Sequence, residues 1–431
     1  MITLLRGGDL YDPEPRGRGD LLLAGGRIAA LGDGLSDAPS GWPVEEVDVR
    51  GLLVVPGLVD THTHMTGGGG EGGAHTRVPP LFVEQLTRAG VTTAIGLLGT
   101  DGTTRSLAEL LASARGLAHY GLTALTYTGG YEVPPPTLTG SVRGDLVHVD
   151  RMVAVGELAI SDHRSAQPTL NELLRIAADA HVSGLMTGKA GLVHLHLGDG
   201  PRGLSLVREA LAVSELPPRV FHPTHCNRNR RLWEEAKDCA HLGLTIDVTA
   251  FPKEGDEPSA GEALAEWLLG GLPPARLTMS SDGGGCLPRF SPDGDLLGMG
   301  VGDARGLLDA LREATALGVP FQRALATCTA NPAALFRLRQ KGQLAPGLDA
   351  DVTLLTPELT VWGVIAGGRW LVREGRAVVG DLFGRGRKLA PGRAWRGVGP
   401  VERPKLSRRA PVGSLMLGLS LIHISEPTRP Y

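Results

Sequence analysis

The 431-residue chain is poor in aromatic side chains, which are 4% of its residues, and it has only four cysteines. With so few aromatic rings, the core must be built mainly from Leu, Val and Ala. The cysteines show no CxxC spacing, which indicates reduced thiols rather than a disulfide framework. No apolar run is long enough to span a bilayer, and the first residues lack the pattern of a signal peptide. We therefore expect a cytoplasmic protein.

The chain also lacks a strong excess of either charge. Its formal net charge is −3, so nothing in the composition indicates nucleic acid or an anionic membrane as a partner. The length suffices for one large barrel domain and a smaller one. The 62 glycines and 31 prolines are typical of a loop-rich α/β enzyme.

Short apolar runs alternate with helical stretches over most of the chain. The strand candidates are residues 53–60, 91–98, 122–128, 153–160, 192–197, 220–225, 244–249 and 277–281. The helix candidates include residues 79–89, 104–118, 169–181, 203–214, 230–241 and 259–270, with further helices in 303–337. Eight strand–helix repeats predict an α/β fold in which a parallel sheet closes as a (β/α)8 TIM-like barrel.

Short strands at both ends of the chain predict a second, smaller unit. Residues 21–31 are a hairpin candidate with Gly25-Gly26 as the turn, and residues 351–355, 361–366 and 369–373 are strand candidates. We expect residues 1–56 and 341–385 to form a small β-sandwich domain beside a barrel of residues 57–340. Residues 419–429 resemble a translated sequencing-library adapter, so residues 386–431 are interpreted as a non-native or disordered tail.

The most informative motif is His62-Thr63-His64, at the end of the first barrel strand. Residues i and i+2 of a strand point to the same face, so the two imidazoles should leave the strand side by side. A Gly-rich stretch, residues 67–73, follows at once, and its backbone can approach a ligand closely. This arrangement predicts a metal site at the carboxyl end of the strand.

Other histidines and carboxylates occur on or after the later strands. Glu157 lies on the fourth strand, His196 on the fifth and His225 on the sixth, and Asp282 follows the eighth. Barrel enzymes collect their active residues at the carboxyl ends of the strands, so these side chains should meet the histidine pair. Imidazole and carboxylate ligands without a thiolate set suit Zn²⁺ or a similar divalent ion.

Together with several longer runs, these motifs resemble the isoaspartyl dipeptidases of the amidohydrolase superfamily. The runs are residues 67–73, 96–101, 139–142, 160–165, 223–229 and 280–283. The Ser-Asp-His-Arg-Ser and Thr-His-x-Asn-Arg-Asn runs are far more specific than the histidine pair. The resemblance covers about residues 1–385, and it implies hydrolysis of the β-aspartyl amide bond of small dipeptides by a metal-bridging hydroxide.

The resemblance implies two divalent metal ions, taken to be Zn²⁺. The implied ligands are His62, His64, Glu157, His196, His225 and Asp282, with Asp282 also the general base. The family usually has a carboxylated lysine where this chain has Glu157, and we expect this shorter carboxylate to bridge the ions. Lys189 is interpreted as structural, with a substitute metal ligand as the alternative.

The resemblance also implies the substrate contacts. Tyr131 would polarise the scissile carbonyl, Glu71 would bind the ammonium group, and Arg164 and Arg228 would bind the carboxylates. Further contacts are implied for Gly69, Gly70, Thr100 and Cys286, the last at a position where the family tends to have serine. The alternatives are rim salt bridges for the arginines, a packed loop aromatic for Tyr131 and a solvated loop charge for Glu71.

Two other functions remain open. A different amidohydrolase, such as a cyclic amidase or a D-aminoacylase, would keep the metals, but a neutral cyclic substrate needs no clamp of Glu71, Arg164 and Arg228. A catalytically impaired barrel that serves as an oligomeric scaffold is favoured only by Glu157. We expect the protein to form a homo-oligomer. We expect it to bind a small β-aspartyl dipeptide as its substrate.

Overall fold

A computed structural model of the chain describes residues 2–35, 42–291, 293 and 295–378. The tail predicted over residues 386–431 and the last residues of the predicted second terminal segment lie outside these ranges. Among the described residues, no helix is long and apolar enough to cross a membrane.

Nineteen strands are found in the described part of the chain. They are β1 (Ile2–Tyr11), β2 (Pro15–Ala24), β3 (Arg27–Gly32), β4 (Val44–Asp48), β5 (Leu53–Pro56), β6 (Leu58–Thr63), β7 (Val91–Gly96), β8 (Thr123–Thr128), β9 (Met152–Ile160), β10 (Val193–Leu197), β11 (Phe221–Thr224), β12 (Ile246–Thr249), β13 (Leu277–Ser280), β14 (Cys286–Phe290), β15 (Leu296–Val301), β16 (Val352–Leu355), β17 (Val361–Ala366), β18 (Arg369–Arg373) and β19 (Arg376–Ala377).

The α-helices lie between β6 and β16. They are α1 (Val83–Thr87), α2 (Leu107–His119), α3 (Val142–His148), α4 (Leu170–Thr187), α5 (Ser205–Val213), α6 (Arg230–Ala240), α7 (Ala260–Leu269), α8 (Gly306–Ala316), α9 (Phe321–Ala326) and α10 (Ala330–Leu335). Several begin after a residue whose side chain accepts a backbone N–H of the first turn, namely Ser106, Ser141, Thr169, Asn229 and Ser259. Such caps define where these helices start.

Strands from both ends of the chain share one sheet. Its order is β19-β18-β17-β16-β5-β1-β2-β3, and β4 lies alongside β1. The predicted hairpin of residues 21–31 is confirmed, because β2 and β3 are joined through Gly25 and Gly26, both at positive φ. Thr353 of β16 lies opposite Val55 of β5, so the two terminal segments meet directly.

The parallel strands form the framework of the site. Strands β6 to β11 make a six-stranded parallel sheet in chain order, and β12 and β13 make a parallel pair. A bridge between Thr63 and Gly283, and a hydrogen bond from the Cys226 N–H to the Asp247 carbonyl, connect the pair to the two edges of the larger sheet. Every residue of β6, β7, β9 and β10 is buried, as expected where helices cover a parallel sheet.

The prediction of residues 53–60 as a single strand was wrong. This segment is divided at Gly57, so that β5 belongs to the terminal sheet and β6 to the parallel sheet. The apolar pattern could not show this division because both strands are largely buried. The sequence pattern also missed helix α3 and the hairpin of β14 and β15, and the helices of residues 303–337 are three short ones.

The end of α4 packs backbone to backbone against the loop before β10. A Cβ on Gly191 would lie 2.5 Å from the Gly184 Cα and 2.6 Å from the Ala180 carbonyl oxygen. Gly191 also has φ of +57°. At Gly188, where φ is +74°, a Cβ would meet nothing within 4 Å. Both glycines therefore have a left-handed backbone, but only Gly188 has room for a Cβ atom.

We expect Gly191→Ala to destabilise the protein much more than Gly188→Ala. The left-handed strain costs about 1 kcal/mol at either site, and the clash at Gly191 adds about 2 kcal/mol or more. Urea unfolding of the two variants and the unsubstituted protein measures both losses. Equal losses would contradict the close packing of α4 on this loop.

Candidate active site

The six predicted metal ligands converge at the carboxyl ends of the parallel strands. His62, Glu157 and His196 lie near the ends of β6, β9 and β10, while His64, His225 and Asp282 lie one or two residues beyond β6, β11 and β13. Each is at most 5% exposed. Their ligand atoms form three groups that could hold an ion: His62, His225 and Asp282; His62, His64 and Glu157; and Glu157, His196 and His225.

The Glu157 carboxylate lies among four imidazole rings. Its Oε2 is 3.1 Å from His196 Nδ1 and 3.6 Å from the Nε2 atoms of His62 and His225. Its Oε1 is 3.6 Å from His64 Nε2. One carboxylate thus faces all four imidazoles.

The donor atoms are spaced as ligands of a shared ion would be. Bonds of about 2.0–2.2 Å in tetrahedral geometry separate neighbouring ligand atoms by about 3.3–3.6 Å. Asp282 Oδ1 lies 3.4 Å from His62 Nε2, within this range, and 3.0 Å from His64 Nε2, which is closer than this range. His62 Nε2 and Asp282 Oδ1 are buried, and neither has a hydrogen-bond partner among the described residues. These orphaned atoms fit a divalent cation.

The protonation of two of the histidines also suits metal binding. Burial, with the neighbouring histidines, holds the pKa of His62 and of His225 well below the usual range. Neutral imidazoles keep a free lone pair for a metal, and a divalent ion would compensate the buried charge of Glu157.

Lys189 does not take part in the candidate metal site. Its Nζ donates hydrogen bonds to the carbonyl oxygens of Leu146, at 2.7 Å, and Val149, at 2.8 Å. These carbonyls precede β9, at the opposite end of the strand from the metal ligands. Lys189 therefore ties the start of β10 to the segment before β9, as its structural interpretation predicted.

Tyr131 and Asp162 hold the ring of His196 from two sides. The Tyr131 hydroxyl is 2.8 Å from His196 Nδ1, and Asp162 Oδ2 is 3.0 Å from His196 Nε2. Burial opposes ionisation of Asp162, but hydrogen bonds from His196 and Arg164 hold its pKa well below the usual range. Asp162 was not predicted as a site residue, although it stands in the Ser-Asp-His-Arg-Ser run.

Glu71 is the centre of a second polar cluster in the same pocket. Its Oε1 accepts hydrogen bonds from Thr100 Oγ1 at 3.0 Å, Arg164 at 3.1 Å and Cys286 Sγ at 3.3 Å. Burial opposes its ionisation, yet its own backbone N–H and the Arg164 charge keep its pKa below the usual value. The solvated loop charge considered for Glu71 is wrong, because its side chain is 10% exposed.

The two predicted carboxylate-binding arginines have different surroundings. Arg164 makes ion pairs with Glu71 and Asp162, as its salt-bridge alternative expected. Arg228 lies over the ring of Phe251, 5.4 Å from its centroid, and its Nε is buried without a hydrogen-bond partner. No ion pair involves Arg228 among the described residues. Its charge is thus available to an anionic group in the pocket.

The Gly-rich loop is held by a buried arginine that the sequence pattern did not single out. The Arg105 guanidinium donates to the carbonyl oxygens of Thr66, Gly68 and Gly69 at 3.2, 2.8 and 3.1 Å. Arg105 is 3% exposed and pairs with Asp101. It lies just before α2, so only its proximity to the residue 96–101 run could have indicated its role.

These groups line one pocket of about 740 Å³. Of the predicted residues, the wall contains His64, Gly69, Thr100, Tyr131, Glu157, Arg164, His196, His225, Arg228, Asp282 and Cys286. His62, Gly70 and Glu71 are not part of this wall, and Glu71 contacts three residues that are, Thr100, Arg164 and Cys286. The hairpin of β14 and β15, which the sequence pattern missed, contributes Leu287, Pro288 and Arg289 to the rim.

Comparison with known proteins decides the family. The model of the amidohydrolase family matches residues 53–371. The chain belongs to the amidohydrolase family. For an amidohydrolase, the six parallel strands and the adjoining pair correspond to a TIM-like barrel, and the buried histidines and carboxylates correspond to a divalent metal site.

The amidohydrolase resembles a β-aspartyl dipeptidase from the thermophilic, keratin-degrading Fervidobacterium islandicum AW-1. That enzyme's crystal structure in complex with the β-Asp-Leu dipeptide is 40% identical, with a TM-score of 0.85 over 89% of this chain and 99% of that one. An allantoinase from Deinococcus radiodurans is 26% identical, over 82% of this chain and 86% of its own length. A dihydroorotase from Syntrophus aciditrophicus is 40% identical over 67 residues, and the chain spans 15% of that protein.

We expect Glu157→Gln to reduce bound divalent metal strongly. The substitution keeps the side-chain shape but removes the charge that four imidazoles surround. Loss of an outer partner typically weakens metal binding about 10- to 100-fold, and loss of a central carboxylate should cost at least as much. Metal analysis after dialysis against a chelator buffer measures the effect.

The matched control for this experiment is Glu71→Gln, which removes a carboxylate from the same pocket outside the three metal groups. Its metal content should equal that of the unsubstituted protein. Full metal content in Glu157→Gln would refute the central position of this carboxylate.

Proposed function

We propose that this amidohydrolase is a metal-dependent dipeptidase that hydrolyses the β-aspartyl amide bond of small dipeptides. The observation that carries the proposal is one pocket in which the metal groups adjoin Arg164 and Arg228, with Glu71 paired to Arg164 beside it. A β-aspartyl dipeptide has an ammonium group and two carboxylates, so it needs one anionic and two cationic partners. The similarity to an enzyme solved with β-Asp-Leu supports the same substrate class.

We propose two divalent ions, with Zn²⁺ as their identity. His62, His64 and Asp282 would hold one ion, His196 and His225 the other, and Glu157 would bridge them. Such ions, when bound, supply a water that is acidic enough to ionise near neutral pH and a Lewis acid for the carbonyl. Glu157 provides the bridging carboxylate without the carboxylation that a lysine requires.

Asp282 is the proposed general base. Its Oδ1 faces the metal histidines at the pocket floor and has no hydrogen-bond partner among the described residues. Burial raises its pKa above the usual value, which brings this carboxylate closer to the range in which it can both accept and return a proton. Asp282 would take the proton of the attacking water and deliver it to the leaving amine.

Tyr131 is the proposed donor to the scissile carbonyl. Burial first, and then the nearby Glu157 charge, raises its pKa well above the usual range, so the hydroxyl keeps its proton. A neutral phenol can donate a hydrogen bond to the oxyanion that develops during attack. Asp162, which contacts His196 Nε2, keeps the ring of His196 in place while this occurs.

Each charged group of the dipeptide would be bound by a side chain of opposite charge. Glu71 would receive the ammonium group, while Arg164 and Arg228 would bind the carboxylates. Thr100, Cys286 and the backbone of Gly69 and Gly70 would complete the contacts. Because Glu71 and Arg164 already pair with each other, a zwitterion can replace that pair by two new ones without leaving either charge unpaired.

The domain division, the cellular location and the assembly of the protein are proposed as well. We propose that residues 1–56 and 341–385 form a small β domain beside a barrel of residues 57–340. The protein is further proposed to be a cytoplasmic homo-oligomer.

We expect the protein, truncated after residue 385 and supplied with Zn²⁺, to cleave β-Asp-Leu and not α-Asp-Leu. The α isomer places the scissile amide one carbon away from the same charged anchors. Chromatographic detection of free leucine measures both reactions. A chelator should abolish cleavage, and added Zn²⁺ should restore it.

The other outcomes distinguish the alternatives. Cleavage of N-acetyl-D-leucine or of a cyclic amide, without cleavage of β-Asp-Leu, would indicate a different amidohydrolase. No cleavage of any substrate with fewer than two ions bound would indicate an impaired site.

We expect Arg228→Gln to raise the KM for β-Asp-Leu by about 10- to 100-fold, because hydrogen bonds to charged groups are worth about 1.5–3 kcal/mol. Metal content should stay unchanged, since Arg228 belongs to no metal group. Arg230→Gln is the matched control, because Arg230 pairs with Glu266 away from the pocket. A rise in KM for both variants, or for neither, would contradict the role of Arg228.

A further inference from the structure

A layer of polar side chains fills the barrel interior beneath the metal groups. His194 precedes His196 by two residues on β10, and His222 precedes Thr224 by two on β11, so strand alternation turns all four side chains inward. Both His194 and His222 are completely buried. Barrel interiors are ordinarily filled by branched apolar residues, so two buried imidazoles in this layer require an explanation.

Hydrogen bonds connect these rings in one continuous chain. His62 Nδ1 is 2.9 Å from His194 Nε2, and His194 Nδ1 is 3.0 Å from His222 Nδ1. His222 Nε2 is 3.0 Å from Thr278 Oγ1, and this hydroxyl lies 2.6 Å from Asp247 Oδ1. A candidate metal ligand is therefore linked through two further imidazoles and one hydroxyl to a buried carboxylate. We call this set the imidazole chain.

Metal binding at His62 fixes the direction of every hydrogen bond in the imidazole chain. His62 presents Nε2 to the metal groups, so its proton must lie on Nδ1 and point to His194 Nε2. A neutral imidazole has one donor and one acceptor, so His194 then donates from Nδ1 to His222, and His222 donates from Nε2 to Thr278. The Thr278 hydroxyl is left to donate to Asp247.

The opposite direction satisfies fewer groups. If His62 carried its proton on Nε2, each ring would donate toward His62 instead of away from it. Thr278 would then donate to His222, and Asp247 Oδ1 would lose the hydroxyl that it accepts at 2.6 Å. The carboxylate therefore favours the direction that leaves His62 Nε2 unprotonated and ready for a metal.

Burial and ring packing keep the imidazole chain neutral and rigid. Burial lowers the pKa of His222 to about 3. Tyr127 stacks on His194 with ring centroids 5.1 Å apart, and Phe336 meets His222 edge-on at 5.7 Å. The rings therefore have little freedom to turn away from one another.

We propose that His194, His222, Thr278 and Asp247 are positioning residues that set the tautomer of His62 and thereby strengthen metal binding at its Nε2. A metal-binding histidine usually donates its other N–H to a carboxylate or carbonyl, which fixes the ring and raises its basicity. Here the carboxylate acts through two imidazoles and a hydroxyl. The inference rests on the metal site of the proposed function but not on its substrate.

Thr278→Val is the decisive variant, because it removes one hydroxyl and keeps the shape of the side chain. Thr278→Ser keeps the hydroxyl and should rescue binding. Ser280→Ala is a second control, since Ser280 Oγ donates to Asp247 Oδ2 at 2.6 Å without belonging to the imidazole chain. All three variants leave the metal ligands and the pocket wall unchanged.

The measurement is the affinity of the metal-free full-length proteins for Zn²⁺ in competition with a chelator, with Co²⁺ absorption spectra as a second readout. In Thr278→Val we expect one ion to bind about 10-fold or more weakly. Its Co²⁺ spectrum should change, while Thr278→Ser and Ser280→Ala stay close to the unsubstituted protein. Thermal unfolding of the metal-free forms tests whether the variants fold equally well.

Equal affinity in Thr278→Val and Thr278→Ser would overturn the proposal. Equal weakening in Thr278→Val and Ser280→Ala would also overturn it, because the effect would then not depend on the hydroxyl that links Asp247 to the imidazole rings. If Thr278→Val does not fold, Asp247→Asn, which removes the terminal charge at constant shape, must weaken one ion in the same way. An unsubstituted protein that binds no divalent ion would refute the proposed function itself.

Discussion

A single buried carboxylate, Glu157, imposes the constraint on which the site depends. Four imidazoles surround it within 3.6 Å, and burial keeps at least two of them neutral. A negative charge in such a place needs a cation, because neutral rings alone cannot replace the hydration that it has lost. The strands that carry the candidate ligands end around this carboxylate. His62 Nε2 and Asp282 Oδ1, which have no hydrogen-bond partner among the described residues, face the same space.

Two charged residues, Arg105 and Asp162, hold the outer parts of the site in place. Arg105 fastens the Gly-rich loop through backbone carbonyls, and Asp162 fastens both His196 and Arg164. Neither residue depends on substrate for its partners. The pocket therefore keeps its shape without a ligand, and the entropy of ordering these loops is already lost before a ligand binds.

The sequence alone predicted the parallel strands and the convergence of the six candidate metal ligands, because buried strands give unbroken apolar runs and barrel sites gather at strand ends. It could not show that residues 53–60 are two strands, since both are largely buried and the apolar pattern is the same on either side of Gly57. It also missed Asp162, Arg105 and the pair of His194 with His222. Their contacts depend on how separate segments of the chain fold together, which spacing along one strand does not reveal.

The pairing of β5 with β16 bears on the order in which the protein can be completed during synthesis. Strand β5 leads through Gly57 directly into β6 and His62, yet one of its two neighbours in the sheet is among the last strands of the described chain. The ribosome must therefore finish almost all of this chain before the first ligand-bearing strand has its full support. Pairings between such distant segments close a long loop and therefore form slowly.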